Sequence, residues 1–247
     1  MTGKVAPAPR IISATARSSL PDRRDRPSAR IWQGLAAAFA VCYQLERTSH
    51  PDFANQCLKN AEHIFALADT SYADPAASVG SGTCNSGCLL TIMPFDGYPE
   101  TVWDDDMELG ATELYFALRS AGGNLPPGLP VTNSMTYLTQ AAQFAGNYIT
   151  KIYDAGYTDT LNLYDVSGLA HFELYRALRV AGNPSGLAVT QQGIRNQLLK
   201  QVADAITRAA NDAWGFGDAW NSDTTSHGAG IFGDGERSLL LDRIERV

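Results

Sequence analysis

The stretch ELYFALRSAGG, Glu113–Gly123, returns sixty residues later as ELYRALRVAGN, Glu173–Asn183. In both copies Leu, Ala and Leu recur at helical spacing, and a glycine, Gly122 or Gly182, follows where a left-handed C-cap is expected. A period of this length has room for two helices and two loops, so each repeat is predicted to be one helical hairpin. Because a hairpin cannot bury its apolar face alone, the hairpins should stack into an open α-solenoid or a closed α/α toroid.

The chain on either side of the repeat has the same helical period. Pro51 follows a break in the pattern and suits the first turn of a helix. Phe53 is predicted to share the buried face of that helix with Cys57 and Ala61. The fold class is therefore predicted to be all-α, built of antiparallel helical hairpins, with helices at Ile31–Glu46, Phe53–Ala68, Asp105–Ala121, Asn133–Ile152, Asp165–Ala181 and Leu187–Asn211.

Composition and charge restrict the function classes. Apolar residues make up 45% of the 247 residues and charged residues 18%, which is typical of a globular protein. The net charge of −7 argues against a nucleic-acid partner, and no apolar run reaches the roughly 18 residues of a membrane span. Residues 1–30 carry seven basic and two acidic side chains without a secretory apolar core. They are predicted to be a disordered or non-native leader, and the compartment stays unknown.

The four cysteines form two pairs. Cys42 and Cys57 lie on successive predicted helices, where they could face each other across a hairpin. A disulfide in a secreted protein and two buried thiols are both open. Cys84 and Cys88 lie in a Gly/Ser-rich loop, and a C-x3-C pair without a second pair is a weak metal signal. A disulfide between them is favoured over a zinc site, and its presence stays open. No metal and no cofactor are predicted.

Three successive aspartates, Asp104–Asp106, stand between a Gly-, Pro- and Ser-rich loop at residues 70–102 and a helical pattern. Loops of this length in a compact domain are often functional. The aspartates themselves are expected to serve the helix start, with Asp105 or Asp106 capping a helix that begins near Met107. Of the histidines, His171 is expected to be a satisfied structural residue, and His50 and His63 are expected at the surface.

Four stretches together resemble the catalytic domain of glycoside hydrolase family 9 cellulases. They are YPETVWDDDMELGATELYFAL, IWQGLAAAFAVCYQ with HPDFANQCLKNAEHIFALA, LNLYDVSGLAHFELYRALR, and WGFGDAWNSDTTSHGAGI. The likeness covers about residues 31–231. It implies part of an (α/α)6 barrel and, for the family, inverting hydrolysis of β-1,4-glucans in proteins that are usually secreted.

The resemblance also implies a substrate cleft for a β-glucan or cello-oligosaccharide. Its predicted walls are Tyr98 and Trp103, with Trp220 and His227 from a later loop. Aromatic faces suit sugars because the C–H faces of glucose are apolar. For Trp103 the alternative is a core residue packed at a helix start.

The catalytic carboxylates of the family find no match, so no catalytic residue is assigned. Asp22 and Asp25 have the spacing of the family's Asp-x-x-Asp motif but none of its Gly, Lys and aromatic neighbours. Glu236 and Glu245 lack the Asn-Glu context of the family's acid. The expectation is an inactive, truncated domain at residues 31–232 with a charged tail at 233–247.

Two alternatives to this reading stay open. One is a non-catalytic glucan-binding module. The other is a helical-repeat interaction scaffold that self-associates through exposed toroid edges.

Overall fold

The computed structural model describes residues 29–68, 70, 102–156, 160 and 165–211, with side chains from Gly34 onward. These residues form helices and turns, and no strand occurs among them. The helices are α1 Ala29–Glu46, α2 Pro51–Leu67, α3 Asp104–Ser120, α4 Ser134–Asn147, α5 Ser167–Val180 and α6 Gln191–Asn211, with a π-helical turn at Tyr148–Tyr153 that continues α4. The all-α prediction is confirmed, and each predicted helix is present with its ends shifted by at most four residues.

The helices are arranged as three successive hairpins, α1–α2, α3–α4 and α5–α6. Helix α3 packs against both α1 and α5, while α2, α4 and α6 each pack mainly on the helix that precedes them. The result is an inner row of α1, α3 and α5 with an outer row against it. None of the helices in the described ranges combines the length and apolarity that a membrane span requires.

Helices α3 and α5 form the centre of the core because small and large apolar residues alternate along them. Leu114, Ala117, Leu174 and Ala177 are each 0% exposed. Full burial of one such leucine contributes about 1.5–3 kcal/mol. On α2, one of the residues predicted to lie on the buried face is exposed. Phe53 was predicted to be buried but is 59% exposed, because it lies at the edge of the buried face of α2.

The sixty-residue repeat is visible in the packing and in the helix ends. The guanidinium of Arg176 lies 5.5 Å from the ring centre of Phe116, its counterpart in the other repeat. Helices α3 and α5 are therefore parallel and in register. Gly122 and Gly182 have φ of +58° and +79°, which confirms the predicted left-handed C-caps.

A disulfide joins Cys42 of α1 to Cys57 of α2, with their Cα atoms 6.1 Å apart. This settles the alternative that the sequence left open for this pair. It fixes the first hairpin covalently near its turn. Cys84 and Cys88 lie outside the described residues.

Candidate functional site

Polar side chains from several helices meet at one end of the helical array, which we call the loop end. The first turns of α3 and α5, the π-helical turn and the second half of α6 all contribute to it. Gln201 of α6 donates to Ser167 Oγ over 3.1 Å, and the Tyr153 hydroxyl donates to Asp204. Residues 71–101 lead into α3 here and residues 212–247 follow α6. The segments with predicted cleft residues therefore attach at this end.

The aspartate run does not cap α3 as predicted. The helix begins at Asp104, and its N-cap residue is Trp103, whose side chain makes no capping hydrogen bond. The first helical bond runs from Met107 N–H to Trp103 O. The prediction that Asp105 or Asp106 is the N-cap is wrong because the helix starts earlier and places all three aspartates inside its first turn. Their charge there still matches the positive end of the helix dipole.

Asp105 binds the neighbouring repeat. Its Oδ2 atom accepts a 2.8 Å hydrogen bond from the backbone N–H of Val166. Asp165, its counterpart in the second repeat, accepts a 2.9 Å bond from the N–H of Ser167 and a 2.6 Å bond from the Tyr148 hydroxyl. One aspartate thus ties α3 to α5, and the other ties the start of α5 to the end of α4.

A buried Glu–His pair lies one turn further into the same two helices. Glu108 Oε1 lies 2.8 Å from Nδ1 of His171, and both side chains are 0% exposed. The Tyr148 ring meets the imidazole edge-on at 5.3 Å. Burial raises the pKa of Glu108, and the nearby His171 partly opposes that rise. The expectation of a structural histidine is confirmed, but His171 is satisfied only at Nδ1, because its Nε2 is buried without a hydrogen-bond partner among the described residues. No local sequence pattern indicated that Glu108 was its partner.

The inter-repeat network, as we call Asp105, Glu108, Tyr148, Asp165 and His171, is 0–1% exposed throughout. Burial is also the main cause that raises the pKa of Asp165 and of Tyr148, and the Asp165 charge raises that of Tyr148 further. Groups so enclosed do not reach a polysaccharide in this arrangement. What they do is fix the relative position of the helix starts from which the loop segments leave. The sequence did contain an indication that Asp105 has a structural role, since the repeat alignment superimposes it on Asp165.

Of the predicted cleft residues, Trp103 lies among the described residues. It stands at the loop end directly before α3, is 8% exposed, and packs edge-on against Phe144 with ring centres 6.1 Å apart. This packing matches the alternative of a core residue at a helix start, and its role in substrate binding stays a prediction. Tyr98, Trp220 and His227 lie outside the described residues.

In the part of the chain that the structure describes, no group of three or more His, Cys, Asp or Glu side chains is arranged to hold a metal ion. His50 pairs with Glu46 in the exposed turn after α1, with 2.6 Å between Nδ1 and Oε2. His63 is exposed on α2. Both therefore lie at the surface as predicted.

Comparison with known families agrees with this architecture. The family model described as Glycosyl hydrolase family 9 matches residues 8–238. No solved structure matches the chain. The matched range contains all three hairpins, the loop segments at the loop end, and part of the basic segment before α1. Since this range is most of the sequence, the chain belongs to glycosyl hydrolase family 9.

Proposed function

We propose that the domain contacts β-1,4-glucan chains at the loop end of its helices. The observation that carries the proposal is the convergence at this end. The paired starts of α3 and α5 are held in register by the Asp105–Val166 bond, and an aromatic residue, Trp103, stands where one of them begins. Membership of a glycoside hydrolase family supports a carbohydrate as the ligand. Tyr98, Trp220 and His227 are proposed to complete the contact surface.

The finer proposal concerns turnover. An inverting hydrolase needs one carboxylate to activate water and a second to protonate the leaving oxygen, and the two groups stand about 6.5–9.5 Å apart. General acid–base assistance contributes typically 10²–10⁴-fold for each group. In the inter-repeat network Asp105 and Asp165 accept N–H groups at the start of α5, and Glu108 pairs with His171. Neither Asp22–Asp25 nor Glu236 has the sequence context of the family. We therefore propose that these 247 residues bind glucan without appreciable hydrolysis.

Two assays on one preparation test this function. We expect no reducing-sugar release from carboxymethyl-cellulose, and retention on insoluble cellulose that is lost in Tyr98→Ala and Trp103→Ala. Phe53→Ala serves as the control because Phe53 is an exposed aromatic residue on α2. Circular dichroism must show intact helices in the Trp103 variant, since that side chain is packed. Turnover that disappears in Asp22→Asn or Asp25→Asn would show that the catalytic base is present after all.

A second candidate function, self-association as a helical scaffold, is favoured by one surface. Val41 and Leu45 lie one turn apart on α1 and are 36% and 71% exposed, and Phe53 of the same hairpin is 59% exposed. Apolar side chains that are exposed side by side are typical of protein contact sites. Light scattering after size exclusion tests this: a dimer that Leu45→Glu converts to a monomer supports the scaffold, while a monomeric parent chain excludes it.

A further inference from the structure

A groove of about 450 Å³ lies at the end of the array opposite the loop end. It is formed by the last turns of α5, the connection 181–190 and the first turns of α6. This volume falls within the range of small-molecule sites in proteins. We propose that the groove is a second carbohydrate site, which takes a short neutral β-glucan oligosaccharide. The choice of a β-glucan as the sugar rests on the proposed function. The location of the site rests on the shape and lining of the groove.

The inner wall of the groove is apolar. Tyr175, Leu178, Pro184 and Val189 line it, and both Tyr175 and Val189 are half-buried against the main core. A pyranose ring presents apolar C–H groups on its faces, and aromatic and aliphatic side chains cover such faces well. The wall therefore matches the face of a sugar and not its edge.

The rim of the groove is polar but carries no carboxylate. Asn183, Gln191, Gln192 and Arg195 supply amide and guanidinium groups. Gln192 Nε2 donates to Asn196 Oδ1 over 2.8 Å, so its amide oxygen is the group offered to a sugar hydroxyl. Amide side chains both donate and accept hydrogen bonds, which matches hydroxyl groups that do the same. The absence of acidic side chains from the lining contrasts with a chain that has 26 acidic and 19 basic residues. This choice of side chains favours a neutral polyhydroxylated ligand over a cation.

The backbone around the groove is held in place without a ligand. Asn183 has a left-handed φ of +55°, and its N–H donates to Leu178 O over 2.9 Å. Thr190 Oγ1 accepts from Gly193 N–H over 3.0 Å at the start of α6. Ala188 lies against Gly146 of α4, since a Cβ added at Gly146 would be 3.4 Å from the Ala188 Cβ, at van der Waals contact. The groove is therefore preformed, which lowers the entropic cost of binding.

The test is an NMR titration of the full ¹⁵N-labelled chain with cellotetraose. We expect shifts in the backbone amides of Gly186 and Gly193 and in the side-chain amide of Gln192. Gln192→Ala should weaken the affinity read from these shifts about five-fold, the effect of one hydrogen bond. Gln143→Ala, an exposed glutamine on α4, should leave the affinity unchanged. Tyr175→Ala should weaken it more, but its packing against the core makes Gln192 the cleaner position.

The outcomes separate this site from the loop end. If cellotetraose still shifts the amide signals of the groove residues in Trp103→Ala, the second site is supported, whether or not that variant is retained on cellulose. Retention that depends on Trp103, with no groove shifts, overturns the second site and leaves the proposed function standing. Groove shifts of equal size with sorbitol, or shifts that Gln192→Ala does not weaken, also overturn it because they mean that no sugar is recognised.

Discussion

Nδ1 of His171 lies 2.8 Å from Oε1 of Glu108, across the interface between the two repeats, and solvent reaches neither side chain. Such a pair is expensive to break from one side, because the remaining group stays buried without its partner. Replacement of both residues by apolar ones lowers the free energy of unfolding far less. Replacing one member alone should therefore destabilise the protein more than replacing both.

The first prediction follows from this pair. His171→Ala should lower the free energy of unfolding by about 3–5 kcal/mol, since it leaves the Glu108 carboxyl buried and unpaired. The double variant Glu108→Leu/His171→Leu should lose less than His171→Ala alone. Urea denaturation followed by circular dichroism measures both. A loss in the double variant that equals or exceeds that of His171→Ala would mean that the two side chains do not act as a unit.

The second prediction concerns Asp105. Asp105→Ala removes the acceptor of the Val166 N–H, which is part-buried, and should cost about 1 kcal/mol, the lower end of the range for a donor left without a partner. Asp105→Asn keeps an oxygen in place and should cost less. Asp52→Ala, in the first turn of α2 but exposed, gives the matched control. If both Asp105 variants behave like the control, the bond to Val166 does not contribute to stability.

The third prediction is a pH dependence from Glu113. Burial raises its pKa from 4.5 to about 6, helped by the charge of Glu173 and opposed by Gln44 and Arg176. The folded state therefore holds this proton more tightly than the unfolded state, so the contribution of Glu113 to stability falls as pH rises from about 4.5 to 6. Glu113→Gln removes that fall.

The stability of Glu113→Gln relative to the parent chain should thus increase by up to about 2 kcal/mol between pH 4.5 and pH 7, since one pKa unit corresponds to about 1.4 kcal/mol. Chemical denaturation at a series of pH values measures the difference. A flat difference for Glu113→Gln would mean that this carboxyl is not stabilised in its protonated form.

The fourth prediction concerns the first hairpin. The disulfide between Cys42 and Cys57 spans 15 residues, and closing a loop of that length stabilises a protein by about 3 kcal/mol. Reduction should lower the free energy of unfolding by about this amount. Cys42→Ser/Cys57→Ser should be equally destabilised and insensitive to reductant. If reductant still destabilises the double variant, the stabilising disulfide involves Cys84 and Cys88 and not the Cys42–Cys57 pair alone.

The sequence was a good guide to the helices because their determinants are local. The apolar period, Pro51 at the start of α2, and the glycines after α3 and α5 each act within a few residues, and the structure has them as predicted. The match between the two repeats also predicted correctly that hairpins would stack. Phe53 was misplaced because it lies at the edge of an apolar face, where the period alone does not decide burial.

The site was harder to predict because its contacts join distant residues. Three aspartates before a helix read as capping candidates, yet the partner of Asp105 is a backbone N–H 61 positions away. The pairing of Glu108 with His171 depends on the parallel, in-register packing of α3 and α5, which no local pattern specifies. The repeat carried part of this information, since helices that align in sequence are natural neighbours in a stacked fold.

The π-helical turn at Tyr148–Tyr153 constrains the length of its segment. In an α-helix, residues five apart point about 140° away from each other, whereas bonding to the fifth residue widens the turn and brings them closer to one face. This lets Tyr148 reach Asp165 while Tyr153 reaches Asp204. Thr150 and Lys151 in between are exposed and free to vary in identity. Deletion of one residue would turn the second tyrosine away, so across relatives the segment should vary at the positions of Thr150 and Lys151 but keep its residue count.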